Sequence, residues 1–284
     1  MIRFREDVDG CGCLRCQGVD RDAVRRSIPD ALGWSGRLLV ARPSILLVFA
    51  AVGLVHLLAV AGTGRAVAVG AVVSVLGALV ARGYVAVTGG TVIRDERPSP
   101  AETLGTVLRR LPALLGATFL LAGLVAAVAA LVMVAVAPAL QRVLAPVGVD
   151  AAAVRLAALV VVVGWVVYVL VKFCVLPEAC FVGGYGPVGS LRASWRVTSL
   201  HTAKAVVIVA GFVALLGLGV VLDTRLGDPT SPVALSVRYG ETSVVLRSFG
   251  FSLAGGVRFA FDIVVTAVYA GVFLHQYVGG VFDG

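Results

Sequence analysis

Apolar residues run through this chain in long unbroken blocks, not at alternating or every-third-or-fourth positions. Six blocks approach or reach the length of about 20 apolar residues that a helix needs to cross a hydrocarbon core. They cover residues 44–62, 66–88, 111–137, 152–176, 203–222 and 257–278. Blocks this long, without turn signals every eight residues or so, predict helices and not buried strands. Their Val content is no obstacle, because in lipid the backbone must satisfy its own hydrogen bonds whatever the side chain. The expected fold class is therefore all-α: a polytopic integral membrane helical bundle of about six transmembrane helices. A Cys-containing tail, 1–19, precedes a membrane domain, 20–284. The last block is the weakest span, since Arg258 and Asp262 fall near its start. The first forty residues are charged and show no apolar core of a secretory signal.

Between the blocks the polar pattern changes to a helical period. Leu104, Val107, Leu108 and Leu111 recur on one face behind Ser99-Pro100-Ala101-Glu102, which has the form of a capping box with Pro at the first helical position. In 187–200, Val188, Leu191, Trp195 and Thr198 share a face, with Arg192 and Arg196 one turn apart beside it. In 20–40, Val24, Ile28 and Leu32 do the same, and Pro29 must kink or divide that helix. These segments predict amphipathic interfacial helices, with Arg109, Arg110, Arg192, Trp195 and Arg196 at the headgroup boundary. Their starts, spaced by about 80–90 residues, predict a hairpin unit reused three times.

Composition agrees with the pattern: 59% of the 284 residues are hydrophobic and 14% charged, against about 25% charged in soluble domains. The formal charge of +8 gains meaning once it is mapped on the spans. With the N-terminus inside, 17 of the 24 Lys and Arg fall on the inner side, and seven (Arg65, Arg142, Arg155, Arg225, Arg238, Arg247, Arg258) fall outside. The positive-inside rule then places both termini in the cytoplasm of a multi-pass cell-membrane protein. The expected partners are the lipid bilayer and a membrane protein partner or second copy. Nucleic acid is not among them, because the arginines are scattered among spans and form no basic module.

Candidate chemistry is sparse. Cys11, Cys13 and Cys16 form C-x-C-x-x-C in the tail. Three adjacent thiols suit Zn²⁺, Cu⁺ or part of an iron–sulfur cluster. A closed zinc site needs a fourth ligand, from a second subunit or from Cys174 or Cys180; the other reading is a flexible tail of reduced thiols. Apart from this possible thiophilic metal no cofactor is expected. Arg258 and Asp262, at i and i+4, predict an intramembrane ion pair. Lys172 and Arg82 are expected to snorkel to the headgroups, and Glu178 to lie at the interface. His201 and His275 are candidates to meet at the inner boundary. Gly70, Ser74, Gly211, Gly217 and Gly219 read as close-packing positions, and 223–243 as an external loop or lid. No phosphate-binding, zinc-protease or nucleophile-elbow motif occurs.

The stretch Gly186-Pro187-Val188-Gly189-Ser190-Leu191-Arg192-Ala193-Ser194-Trp195-Arg196-Val197-Thr198, a few residues after Leu176-Pro177-Glu178-Ala179, resembles the membrane region associated with glycerophosphoryl diester phosphodiesterases. It is similar also to uncharacterised six-span proteins of bacteria and archaea. The resemblance implies a membrane domain in which a Pro-containing turn and an amphipathic helix lead into the next span. It does not imply phosphodiesterase activity, whose catalytic part is a separate soluble barrel that no segment here is long or polar enough to form. Arg-rich, Lys-poor, Ala/Val/Gly-heavy usage suggests a GC-rich prokaryotic origin, with a haloarchaeon as one candidate. The function expected is that of a non-enzymatic accessory, scaffold or lipid- or partner-interacting module. The alternatives are a transporter or channel subunit for a small solute or lipid, and a metal- or redox-responsive sensor built on the cysteines.

Overall fold

Pro43 sets the first architectural feature of the computed structural model, which describes residues 1–19, 24, 27–60, 65–226, 233–239, 242–249 and 253–283. A proline disfavours the helical region for the residue before it and lacks an N–H of its own. Arg42 accordingly leaves helical geometry (φ −133°, ψ 71°). The chain turns by 86° there, between α1 (Ile28–Ala41) and α2 (Ser44–Val60). Pro29 has the opposite role. It sits in the first turn of α1 behind a reciprocal capping box of Ser27 and Asp30, so it starts the helix and does not kink it. Of the expected 20–40 segment, residues 20–23 and 25–26 lie outside the described residues, as do 61–62 of the first span.

The second amphipathic segment is not set off from its span. α3 (Arg65–Ile93) is followed by α4 (Pro100–Ala130), again opened by a capping box, Ser99 with Glu102. α4 runs on through a π-helical stretch, Leu131–Val136, into α5 (Ala137–Leu144). The whole stretch Pro100–Val147 is 48 residues. At 1.5 Å per residue that is about 72 Å, over twice a hydrocarbon core of about 30 Å, so its basic opening turns project beyond the apolar span. α6 (Ala151–Lys172) breaks at Phe173 and resumes as the short α7 (Leu176–Phe181). α8 (Pro187–Leu200) and α9 (Thr202–Leu226) follow. All three amphipathic segments thus begin with Pro in the first turn, at 29, 100 and 187.

The connection after α9, expected as a loop, contains an antiparallel hairpin of β1 (Val233–Tyr239) and β2 (Thr242–Phe249), paired from Val233↔Phe249 to Tyr239↔Thr242 with an irregularity at Leu235/Ser236. Residues 227–232 of that connection, including Gly227, Pro229 and Pro232, lie outside the described residues. α10 (Leu253–Asp283) closes the chain.

The protein is a helical membrane bundle. Among the described residues five helical segments are long and apolar enough to span, and a sixth results if the bent α1–α2 pair counts as one. The span with the charged residues is the central one. Half of the apolar window of α10 is buried, against none of the corresponding window in α4. A helix that faces protein tolerates polar groups that lipid would reject. Phe119, Val134 and Val160 instead point outward, as lipid-facing residues do. The two chain ends share one end of the bundle, where the Tyr277 hydroxyl donates to the Ile2 carbonyl (2.8 Å).

Candidate metal site and its mooring

The three tail cysteines converge. Their sulfurs all lie within 4.8 Å of one another and all three residues are exposed. The turn that gathers them is held by backbone bonds from Gln17 N–H to the Cys13 carbonyl (3.0 Å) and from Val19 N–H to the Leu14 carbonyl (2.9 Å). Gly10 and Gly18 stand on either side at φ +93° and +69°. The Cys13 and Cys16 sulfurs are 3.2 Å apart. Metal–sulfur bonds of about 2.3 Å place tetrahedral ligand sulfurs roughly 3.8 Å from each other, so the three thiols could hold an ion after shifts of about 1 Å or less. Hydrogen bonds from the backbone and then the side chain of Cys16 hold the Cys13 thiol down to about 7. The same side-chain bond, seen from Cys16, pushes its thiol up to about 11. A depressed thiol is the more readily deprotonated ligand. Cys174 and Cys180 are buried and do not belong to the cluster.

The tail that carries this turn is moored to the bundle. Ile2 and Phe4 are buried. Ile2 N–H donates to the Val182 carbonyl (3.1 Å), and the Arg3 guanidinium donates to the carbonyls of Gly183 (2.6 Å) and Gly184 (2.9 Å). The Tyr185 hydroxyl accepts from Phe4 N–H (3.1 Å) and donates to Asp7 (2.8 Å). Arg196 forms a two-pronged pair with Glu6 (2.8 and 3.1 Å) and lies 4.3 Å from the centre of the Phe4 ring. That contact holds the Glu6 carboxyl below its ordinary range, through the hydrogen bond first and the charge second. Arg196, expected at the headgroups, therefore has a tail partner. Arg192 and Arg109 are exposed, while Arg110 donates to the Phe181 carbonyl.

Beneath the mooring lie the charges whose placement the sequence reading missed. Glu178 is fully buried inside the bundle and not exposed at a headgroup surface, because α7, which continues the line of α6 past Phe173, packs against α3. There it meets Arg82 at 3.0 and 3.1 Å, and Arg82 also donates to the Cys174 carbonyl and lies 4.6 Å from the Phe273 ring centre. Lys172 does not snorkel either. It is buried, donates to Ser199 Oγ (3.0 Å) and lies 5.2 Å from the Trp195 ring, while Ser194 and Thr198 bond its carbonyl. His201 and His275 find different partners: Asp283 at 3.4 Å and the edge of Trp34.

At the other half of the bundle the structure brings Arg258 and Asp262 together, 3.1 Å apart on one face of α10. The guanidinium occupies the space a Cβ at Gly219 would take, so a larger residue there would have to displace the Arg258 side chain. Gly211 likewise makes room for the Tyr269 hydroxyl, whereas Gly217 faces open space. Asp262 also borders a cavity of about 410 Å³ between α2, α3 and α10, with Phe49, His56, Ser74, Phe259 and Thr266. No family model, curated protein or solved structure matches the chain.

Proposed function

We propose that the chain is a non-enzymatic accessory module of the cell membrane, with both termini in the cytoplasm, that binds a thiophilic ion (Zn²⁺ or Cu⁺) through Cys11, Cys13 and Cys16 and responds to it. The observation that carries this reading is the convergence of three exposed sulfurs within 4.8 Å on a tail fixed to the bundle by Ile2, Arg3 and Glu6. A disordered tail would have to order three thiols on binding, whereas here most of that entropic cost is met in advance. Soft thiolates favour Cu⁺ and Zn²⁺ over hard ions. Three ligands leave one position open for a thiolate or imidazole from a partner or second copy. The lipid bilayer is the other partner, engaged by the outward apolar faces of α4 and α6. The amphipathic α8 behind its Gly186-Pro187 start supports the likeness to the membrane region associated with glycerophosphoryl diester phosphodiesterases, and with it the accessory role.

The test is metal analysis of protein purified in detergent. Wild type retains about one equivalent of Zn²⁺ or Cu⁺ after gel filtration, and Cys11→Ser/Cys13→Ser/Cys16→Ser retains none. Equal metal in the two proteins would remove the reading. A second reading, a transporter or channel subunit for a small solute or lipid, draws on the cavity bordered by His56 and Asp262.

A further inference from the structure

We infer that the ion site is coupled to the membrane bundle, with Gln17 and Arg3 as the links, so that loading the cysteines tightens the mooring of the tail on α7, α8 and α10. The inference rests on the metal reading above and concerns its regulation. Gln17 follows Cys16 directly, and its side chain is spent entirely on the tail. Its oxygen accepts from Arg3 N–H (3.0 Å), and its amide nitrogen donates to the Arg3 carbonyl (3.0 Å) and to the Gly12 carbonyl (3.0 Å). One amide therefore joins the two halves of the cysteine turn to the strand-like segment at Arg3. Gly12, between the first two ligands, is buried against the Arg5 backbone, where a Cβ would lie 2.6 Å from Arg5 Cα. The turn crosses this segment too closely to rearrange independently.

From Arg3 the connection reaches the bundle at two places. Its guanidinium holds the Gly183 and Gly184 carbonyls. Gly184 has φ +65°, a left-handed conformation that glycine adopts without strain and that turns the chain between α7 and α8. Next to Arg3, the Ile2 backbone is clasped by Val182 and by the Tyr277 hydroxyl from α10. An ion that binds only the gathered cysteine turn stabilises that turn and whatever is ordered with it. By linkage, a docked tail raises ion affinity by the same factor.

Hydrogen exchange on the full chain in lipid nanodiscs tests this, with Zn²⁺ and Cu⁺ supplied in separate arms against a chelator-treated control. At free ion ten times its Kd, exchange in residues 1–5 and 182–185 slows about tenfold for the ion the site takes. Gln17→Leu keeps one equivalent of bound ion but loses the slowing at 182–185. Arg3→Ala, which cuts the next link, does the same. Unchanged exchange on loading wild type would overturn the coupling while leaving the metal site standing. Full slowing retained in Gln17→Leu and Arg3→Ala would overturn the route through these residues. A wild type that binds neither ion overturns both this inference and the metal reading.

Discussion

Glu178 is a fully buried carboxylate whose partner Arg82 is itself largely covered, and the balance of energies at such a pair is lopsided. Two charges cost several kcal/mol each to desolvate, and their mutual attraction roughly returns it; removing one leaves the other buried without compensation. Arg82→Met and Glu178→Leu are therefore each expected to destabilise the protein by about 3–5 kcal/mol, and the double replacement by far less. Unfolding curves in detergent, assembled as a double-mutant cycle, measure the difference. Additive losses would mean that the pair is not the unit that matters. Neither residue announced this partnership in sequence, since they are 96 positions apart. Each sits at the inner end of an apolar run, where snorkelling is the ordinary outcome. What decides otherwise is the packing of α7 against α3, a tertiary contact; the interruption at Phe173 itself is local, four residues before Pro177, which cannot donate to the Phe173 carbonyl.

At the scale of elements, the signals that were legible are the ones that act locally. Apolar length located the spans, Ser99 and Glu102 located the start of α4, and the i, i+4 spacing of Arg258 and Asp262 placed them together. The hairpin left only a partial signal, Val233, Leu235, Val237 and Tyr239 at every second position, and Gly227, Pro229 and Pro232 favoured a loop. Which helix becomes central depends on tertiary partners, and Arg258 and Asp262, which mark α10 as the weakest span in sequence, are residues that its neighbours accommodate. The contact of α9 with α10 shows how: Gly219 leaves a notch and the Arg258 guanidinium fills it. Gly219→Val is expected to cost about 1–3 kcal/mol through overpacking, and that cost should shrink in an Arg258→Ala background. Thermal midpoints of the four proteins measure the coupling. A full cost retained without the arginine would place the strain elsewhere.

For the molecule as a whole, the proposed orientation draws on two independent features. The Lys and Arg distribution puts 17 of 24 on one side, and the Tyr277–Ile2 bond puts both chain ends at one end of the bundle. With both chain ends in contact, the proposed orientation places them on the same side, and the charge bias is what chooses which side that is. The native cysteines report which side it is, without engineered labels. The chain has five; Cys174 and Cys180 are buried, and only the tail cluster is exposed. Cys13, with its thiol held down to about 7, reacts at neutral pH, where an ordinary thiol near 8.5 is mostly protonated. A membrane-impermeant maleimide at pH 7 should leave the protein unlabelled in intact cells and label it once the membrane is opened. Adding a chelator before labelling should raise the opened-cell signal, because an ion on the thiolates competes with alkylation. Labelling in intact cells would reverse the orientation. It would also move the thiols to a compartment where disulfide formation, not metal binding, is the ordinary fate of neighbouring cysteines.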